Sequence, residues 1–294
     1  MDLSIIIVSY NTKPVLPDCL KSIYENSVDL NFEVIVVDNA SKDKTADEIA
    51  KLKYPNFQFI QNNQNLGFSK ANNIGVKKSK GKYVLFLNPD TQIRKDTLLE
   101  MLKFMDETKT CGAATCKVEL PNGKIDDASH RGFPTPWNSF THFSGIANIF
   151  PSSKIFNGYN LGNLDLEAVH EIDALAGAFM LVRREAGEDV GWWDEDYFFY
   201  GEDIDFCYML KQKGWKIYYV PTVSILHLKG VSGGLKKVSK EITTADKETK
   251  TRATKARFNA MRIFYKKHYE QKYPWILTRL VYLGIHLKQL SAFL

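Results

Sequence analysis

Val84-Leu85-Phe86-Leu87-Asn88-Pro89-Asp90-Thr91 runs four apolar residues straight into a polar turn that ends in a carboxylate. An apolar run of this length, bounded by Lys82 and by Asn-Pro, reads as a buried strand whose C-terminal end opens into a loop. Ligands of open α/β sheets bind at that edge. The competing reading is that Asn88-Pro89-Asp90 only caps a turn and that Asp90 starts the next helix.

On either side of this stretch, strands and helices alternate. Leu3 to Ser9 is a near-continuous apolar run, and Pro14 to Asn26 follows with apolar residues at Val15, Leu16, Cys19, Leu20 and Ile23. Phe32 to Val37 and Phe57 to Ile60 read as further strands, Phe68 to Lys78 and Leu98 to Met105 as helices, and Gly112 to Val118 as a return to the sheet. That spacing predicts an α/β fold with right-handed crossovers and a mostly parallel central sheet flanked by helices. Residues 121 to 170, rich in Pro and Gly, form a long irregular excursion. The pattern resumes with a strand at Ala178 to Val182, a helix from Ile204 to Lys213 and a strand from Lys216 to Val220. Residues 229–250 read as a flexible linker, and two helices, Thr251 to Gln271 and Pro274 to Leu290, form a C-terminal extension.

With 294 residues, 44% of them hydrophobic, the chain suffices for one large domain plus an appendage. No apolar run approaches the length of a membrane span, and Ile5-Ile6-Ile7-Val8 is too short for a signal core, so a cytoplasmic protein is expected. Cys19, Cys111, Cys116 and Cys207 form no Cys-x-x-Cys pair, so neither a zinc site nor a disulfide framework is indicated. Charge is unevenly placed. Residues 251–294 hold nine Lys and Arg against Glu270 alone, giving this tail +8 while the rest of the chain sums to about −3.

Three strand ends, Ser9-Tyr10-Asn11, Asp38-Asn39-Ala40-Ser41 and Asn88-Pro89-Asp90, face one edge of such a sheet. A carboxylate after the second strand can accept hydrogen bonds from a base edge or ribose hydroxyls. No Gly-x-Gly-x-x-Gly and no Gly-x-x-x-x-Gly-Lys occurs, so a diphosphate would need another counter-charge, such as a divalent metal on Asp90. Asn65 to Asn73 opens a helix near the same edge; Gly67, Phe68, Ser69 and Asn72 either meet the nucleotide or form an ordinary cap. In Tyr200-Gly201-Glu202-Asp203-Ile204-Asp205, acids in a first helical turn are explained by the dipole alone. Yet Asp203 shares a face with Cys207 and Leu210 while Asp205 does not, which points Asp203 toward packed structure. Beside Trp192, Trp193, Phe198 and Phe199 its charged form would be disfavoured, which suits a general base. A lone His227 reads as structural or as a ligand. Lys229 with the glycines after it reads as a lid on the diphosphate or as linker.

The segments SIIIVSYN, VVDNASKD, NLGFSKANNIG, LFLNPDT, GAFMLVRRE, WWDEDYFFYGEDIDFC and HLKG resemble, in order and spacing, the inverting glycosyltransferase family 2, its rhamnosyltransferase-like members in particular. The resemblance covers about residues 3 to 230 and implies a GT-A fold. It divides the chain into a catalytic domain, 1–228, with a nucleotide-binding part (about 1–120) and an acceptor-binding part (about 121–228), then the 229–250 linker and the 251–294 basic amphipathic tail. It implies Asp203 as catalytic base with Glu202 beside it, and Mn²⁺ or Mg²⁺ held by Asp90 and His227. In the family the turn after the fourth strand carries Asp-x-Asp; here Asn88 replaces the first Asp, while Asp90 is intact. The donor-binding candidates are Ser9, Tyr10, Asn11, Asp38, Asn39, Gly67, Phe68, Asn72, Asn88, Asp90 and Lys229. Those for the acceptor are Trp193, Glu202 and Asp203. The implied partners are a dTDP- or UDP-sugar, dTDP-rhamnose first, and a glycan or polyprenyl-diphosphate-linked acceptor.

A sugar-nucleotide nucleotidyltransferase would carry a Gly-rich signature after the first strand, which Ser9-Tyr10-Asn11-Thr12 lacks. A non-catalytic glycan-binding protein would have been suggested by loss of Asp90 or Asp203, and both are present. The tail interleaves Arg257, Arg262, Lys266, Lys267 and Lys272 with Phe258, Phe264, Tyr265, Tyr273 and Trp275. It is read as a membrane-surface element placing the enzyme peripherally on the inner face of the cell membrane. The alternative is that its apolar residues pack on the catalytic domain or on a second copy in a homodimer. Nucleic acid is not an expected partner.

Overall fold

The computed structural model describes residues 1–230 and 245–293. Strand β1 (Leu3–Ser9) is followed by α1 (Leu16–Glu25), β2 (Phe32–Asp38), α2 (Thr45–Ile49), β3 (Phe57–Gln61), α3 (Phe68–Lys78) and β4 (Tyr83–Leu87). Then come β5 (Thr91–Ile93), α4 (Thr97–Glu107) and β6 (Cys111–Glu119). The excursion folds into α5 (Pro136–Ser144) and α6 (Ile146–Ile149), and β7 (His170–Glu171) and β8 (Phe179–Arg183) follow. Last are α7 (Arg184–Val190), α8 (Glu202–Gln212), β9 (Lys216–His227), α9 (Lys247–His268) and α10 (Trp275–Ser291).

One sheet has the order β3-β2-β1-β4-β8-β6-β9-β5, with β7 also pairing β9. The first four strands are parallel, and each of β1, β2 and β4 is nearly all apolar and buried, as a strand covered by helices on both faces must be. Beyond β4 the sheet is mixed. Strand β8 runs antiparallel between β4 and β6, β6 pairs β9 in parallel, and β5 pairs β9 antiparallel. Strand β9 extends the run read from Lys216 to Val220 as far as His227, with a register shift opposite Cys116 and Lys117. One apolar layer joins α1 and α4 to the sheet, and a second joins its other face to α8 through Trp193 and Phe206. The four cysteines are buried free thiols.

Two boundaries move. The linker expected over 229–250 gives way to helix from Lys247, capped by the Asp246 carboxylate, which accepts from the Thr249 N–H at 2.7 Å. Residues 231–244, the glycines after Lys229 among them, lie outside the described residues. The tail divides as well. Helix α9 buries Phe258, Phe264 and Tyr265, and its residues form an aromatic cluster with Tyr197 and Tyr208 of the catalytic body. Each such phenylalanine contributes about 1.5–3 kcal/mol when fully buried. Helix α10 buries only Thr278 among its residues and exposes most of its large apolar ones. Among the described residues no helix is long and apolar enough to cross a membrane.

Candidate active site

The C-terminal ends of β1, β2 and β4 open into one pocket. Val8, Tyr10, Asn39, Asn88, Pro89 and Asp90 line it from the sheet, and Gly67, Phe68, Phe198 and Phe199 from the loops beside it. Gly67 makes that neighbourhood possible. It has φ +86°, and a Cβ there would lie 2.6 Å from the Phe198 carbonyl oxygen, which accepts from the Phe68 N–H at 2.8 Å. The helix start and the aromatic loop are therefore in backbone contact.

Asp90 and His227 are brought together by strand pairing. β5 runs antiparallel to β9 with Thr91 opposite His227, and the Leu228 N–H donates to the Asp90 carbonyl at 2.9 Å. The His227 Nε2 is 3.3 Å from Asp90 Oδ1, and its Nδ1 is 3.2 Å from Asp126 Oδ2. Lys229 pairs with the other oxygen of Asp126. Burial opposes a charge on His227, but Asp90 and Asp126 outweigh it and push the imidazole up to about 9. The Asp126 carboxyl, despite its burial, is held well below the usual range by His227 and Lys229.

Asp90 and His227 are the two residues here that could hold a cation, with Asp126 as a carboxylate behind the imidazole. Nε2 is buried and makes no well-directed hydrogen bond, although Asp90 is near, while Asp126 engages the other nitrogen as outer carboxylates do for metal-binding histidines. Among the described residues no three His, Cys, Asp or Glu side chains converge on one point. Any ion here would take its remaining ligands from a diphosphate and water.

The other half of the site lies at the start of α8, and it corrects the reading of the acidic turn. Glu202 and Asp205 are buried, at 7% and 2% exposure, whereas the Asp203 side chain keeps 14%. Asp203 Oδ2 accepts from Arg131 at 2.7 Å and Oδ1 accepts from the Ile204 N–H at 2.8 Å, so its negative charge has a fixed partner. The apolar surroundings expected of Asp203 belong to Glu202. Burial, then the neighbouring Asp203 charge, pushes the Glu202 carboxyl up to about 8, and its Oε2 has no hydrogen bond. Asp205 faces α9, accepting from His268 at 2.6 Å, Lys267 at 2.9 Å and the Tyr197 hydroxyl at 3.2 Å.

Several candidates stand away from the pocket walls. Asp38 accepts from Ser41 N at 2.9 Å and from Ser9 Oγ at 3.1 Å, and Asn11 accepts from Lys42 N at 2.8 Å, so these residues tie the loops after β1 and β2 together. The Asn72 amide donates to the Phe68 carbonyl within its own helix. The Lys229 ammonium is engaged by Asp126, and Gly230 after it reaches the pocket. Trp193, expected at the acceptor, is 2% exposed and packs against Phe86 and Phe206 with ring centroids 4.8 and 5.0 Å apart. It is a core residue.

Three residues were missed: Asp126, Arg131 and Arg252. The first two sit in the irregular excursion, where no periodicity marks them. Arg252 comes from α9, which closes the pocket with Thr249 and Ala253. Its guanidinium lies 5.7 Å from the ring centroids of both Tyr10 and Phe198 and donates to the Tyr10 hydroxyl at 3.3 Å.

Comparison with known proteins agrees with this geometry. Over 233 residues the chain is 30% identical to the rhamnosyltransferase WbbL of Escherichia coli, covering 76% of this chain and 82% of that one. It is 28% identical over 243 residues to the N-acetylglucosaminyl-diphospho-decaprenol L-rhamnosyltransferase of Mycobacterium tuberculosis, covering 79% and 78%. The mannosyltransferase PcManGT of Pyrobaculum calidifontis, solved with GDP-Man and Mn²⁺, superimposes with a TM-score of 0.55 over 98% of this chain and 86% of its own, at 17% identity. The fold is therefore the GT-A fold of glycosyltransferases. The family description "Glycosyl transferase family 2" matches residues 4–191, well over half the chain, and it is to this family that the protein belongs.

Proposed function

We propose that this glycosyltransferase moves rhamnose from dTDP-rhamnose to a hydroxyl of a cell-surface glycan carried on a polyprenyl diphosphate, inverting the anomeric carbon, at the inner face of the cell membrane. The observation that carries the reading is the Arg131–Asp203 pair at the start of α8, joined through the Phe198–Phe199 loop to the pocket that Asp90 lines. Identity to two rhamnosyltransferases over more than three quarters of the chain supports the choice of sugar, and the second relative's name supports a lipid diphosphate acceptor.

The steps follow from the residues. The donor lies in the pocket with Tyr10, Asn39 and Phe68 beside its nucleoside, while Asn88, Asp90 and Arg252 stand toward its diphosphate. Asp203, oriented by Arg131, takes the proton of the acceptor hydroxyl as that oxygen attacks C1 from the face opposite the diphosphate. The C1–O bond to the diphosphate breaks in the same displacement, and the bonding pair leaves with the nucleoside diphosphate. Asp90 and His227 Nε2 would hold Mn²⁺ or Mg²⁺, with Asp126 orienting the imidazole. When bound, such an ion neutralises charge developing on the leaving diphosphate.

The test is a panel of nucleotide sugars offered with Mn²⁺ or Mg²⁺, reading thermal protection and then transfer to a synthetic polyprenyl-diphosphate glycan. dTDP-rhamnose should protect most and give a product of inverted configuration by NMR. Preferential protection and transfer with a UDP-sugar would overturn the rhamnose assignment.

A further inference from the structure

Two segments far apart in the chain contain no acidic residue. Residues 136–160 and 271–294 together hold Lys154, Lys272, Arg279 and Lys288 and no Asp or Glu, where the overall density of 34 acids in 294 residues would place about six. Both segments also expose their large apolar side chains. On α10, Ile276, Leu280, Leu283, Leu287 and Leu290 recur at helical spacing, and each is between 51% and 59% exposed. An amphipathic helix normally turns such a stripe inward. In the excursion, Phe140, Ile149 and Ile155 are 56–70% exposed.

The two segments meet. The Lys288 ammonium lies 4.4 Å from the Phe143 ring centroid, so α10 and α5 share one face of the molecule. On its inner side α10 is fastened to α9: Arg262 donates to the Gln289 side chain at 2.6 Å, and the Tyr265 and Thr278 hydroxyls are 3.1 Å apart. That attachment holds the apolar stripe outward. The His142 ring on α5 lies 4.8 Å from that of Tyr159, whose carbonyl accepts from the Gly132 N–H at 2.9 Å, next to Arg131 of the Arg131–Asp203 pair. The face therefore borders the side of the body on which Asp203 lies.

We infer that α10 and the α5–α6 wing together form a docking surface for an anionic phospholipid bilayer, with α9 as the strut that fixes the catalytic body to it. The inference rests on the peripheral membrane reading above and gives it a surface. Charge selects the occupant. A second copy meeting this face about a two-fold axis would set Lys154, Arg279 and Lys288 against themselves with no acid in either segment to pair them, whereas anionic headgroups complement all three. The apolar stripe then enters the boundary between headgroups and acyl chains. A polyprenyl-linked acceptor would reach Asp203 from the same side.

The experiment is co-sedimentation of the full chain with vesicles of phosphatidylcholine alone or mixed with phosphatidylglycerol, without donor or acceptor. Wild type should bind the mixed vesicles and bind less as salt rises. An Ile276→Ser/Leu280→Ser/Leu283→Ser variant and a Phe140→Ser/Ile149→Ser/Ile155→Ser variant should each lose on the order of tenfold in vesicle affinity or more. Both should keep the wild-type circular dichroism and the wild-type thermal unfolding midpoint. Binding by wild type that both folded variants retain would overturn this surface while leaving the peripheral reading standing, and no binding by wild type would end both. A dimer in sedimentation velocity that the α10 variant converts to monomer would make the face a self-interface instead. Because no sugar nucleotide is present, a wrong donor assignment cannot alter the result.

Discussion

Glu202 and Asp203 are adjacent in one helical turn and meet opposite surroundings. Asp203 has the Arg131 guanidinium beside it and residual exposure, so it is oriented and open to an acceptor. Replacing it with Asn keeps the shape and removes the proposed proton acceptor. Transfer should fall by about 10²–10⁴-fold while donor affinity, measured by titration with dTDP, stays within a few-fold. Glu202 is the buried acid. Its carboxyl moves from an ordinary 4.5 to about 8 in the fold, so between those values the unfolded chain has released a proton that the folded chain keeps. Stability from this group is present below the lower value and is lost as pH rises through the upper one. Urea midpoints should therefore fall across that interval, and Glu202→Gln should flatten the decline and exceed wild type at its alkaline end. An unchanged slope in the variant would assign the decline elsewhere. Arg252, by its place on the pocket wall, predicts a third outcome. Arg252→Ala should raise the donor KM about tenfold or more, the scale of a hydrogen bond to a charged group, with Arg252→Lys recovering part of it.

The helices at the C-terminus, alike in sequence, do different work. Helix α9 supplies Phe264 and Tyr265 to the aromatic cluster, His268 and Lys267 to the buried Asp205, and Arg252 to the donor pocket. Removing residues 246–294 should leave Asp205 without Lys267 and His268 and the cluster open to water, giving protein that is insoluble or no longer protected by nucleotide. Removing only residues 274–294 should leave a folded enzyme that still glycosylates a soluble acceptor. Thermal unfolding with and without dTDP separates the two truncations. The reading of residues 251–294 as one basic amphipathic tail could not make this division. Both helices interleave aromatic and basic residues, and helical periodicity says that a face is apolar without saying what covers it.

Across the molecule, the candidate metal site is a product of sheet register. Asp90 ends the turn after β4, Asp126 follows β6 and His227 ends β9, and only the β5–β9 and β6–β9 pairings put them side by side. His227→Ala should weaken metal-dependent donor binding, and Asp126→Asn should weaken it less, because the imidazole survives but loses its orienting charge. Titrations with and without chelator measure both, and donor binding indifferent to chelator would remove the ion from the mechanism. The strands, the helices between them, the turn at Asn88-Pro89-Asp90 and the acidic start of α8 were legible in the sequence, since each depends on periodicity or turn chemistry within a few residues. The antiparallel β8 was not, because an isolated apolar run carries no direction. Nor were the pairs that tune the site: Arg131 with Asp203, Asp126 with His227 and Asp205 with His268 are separated by 72, 101 and 63 residues. Which of the acids on α8 is buried, which is exposed and which is charged depends on partners delivered by other elements. Only the folded chain sets those distances.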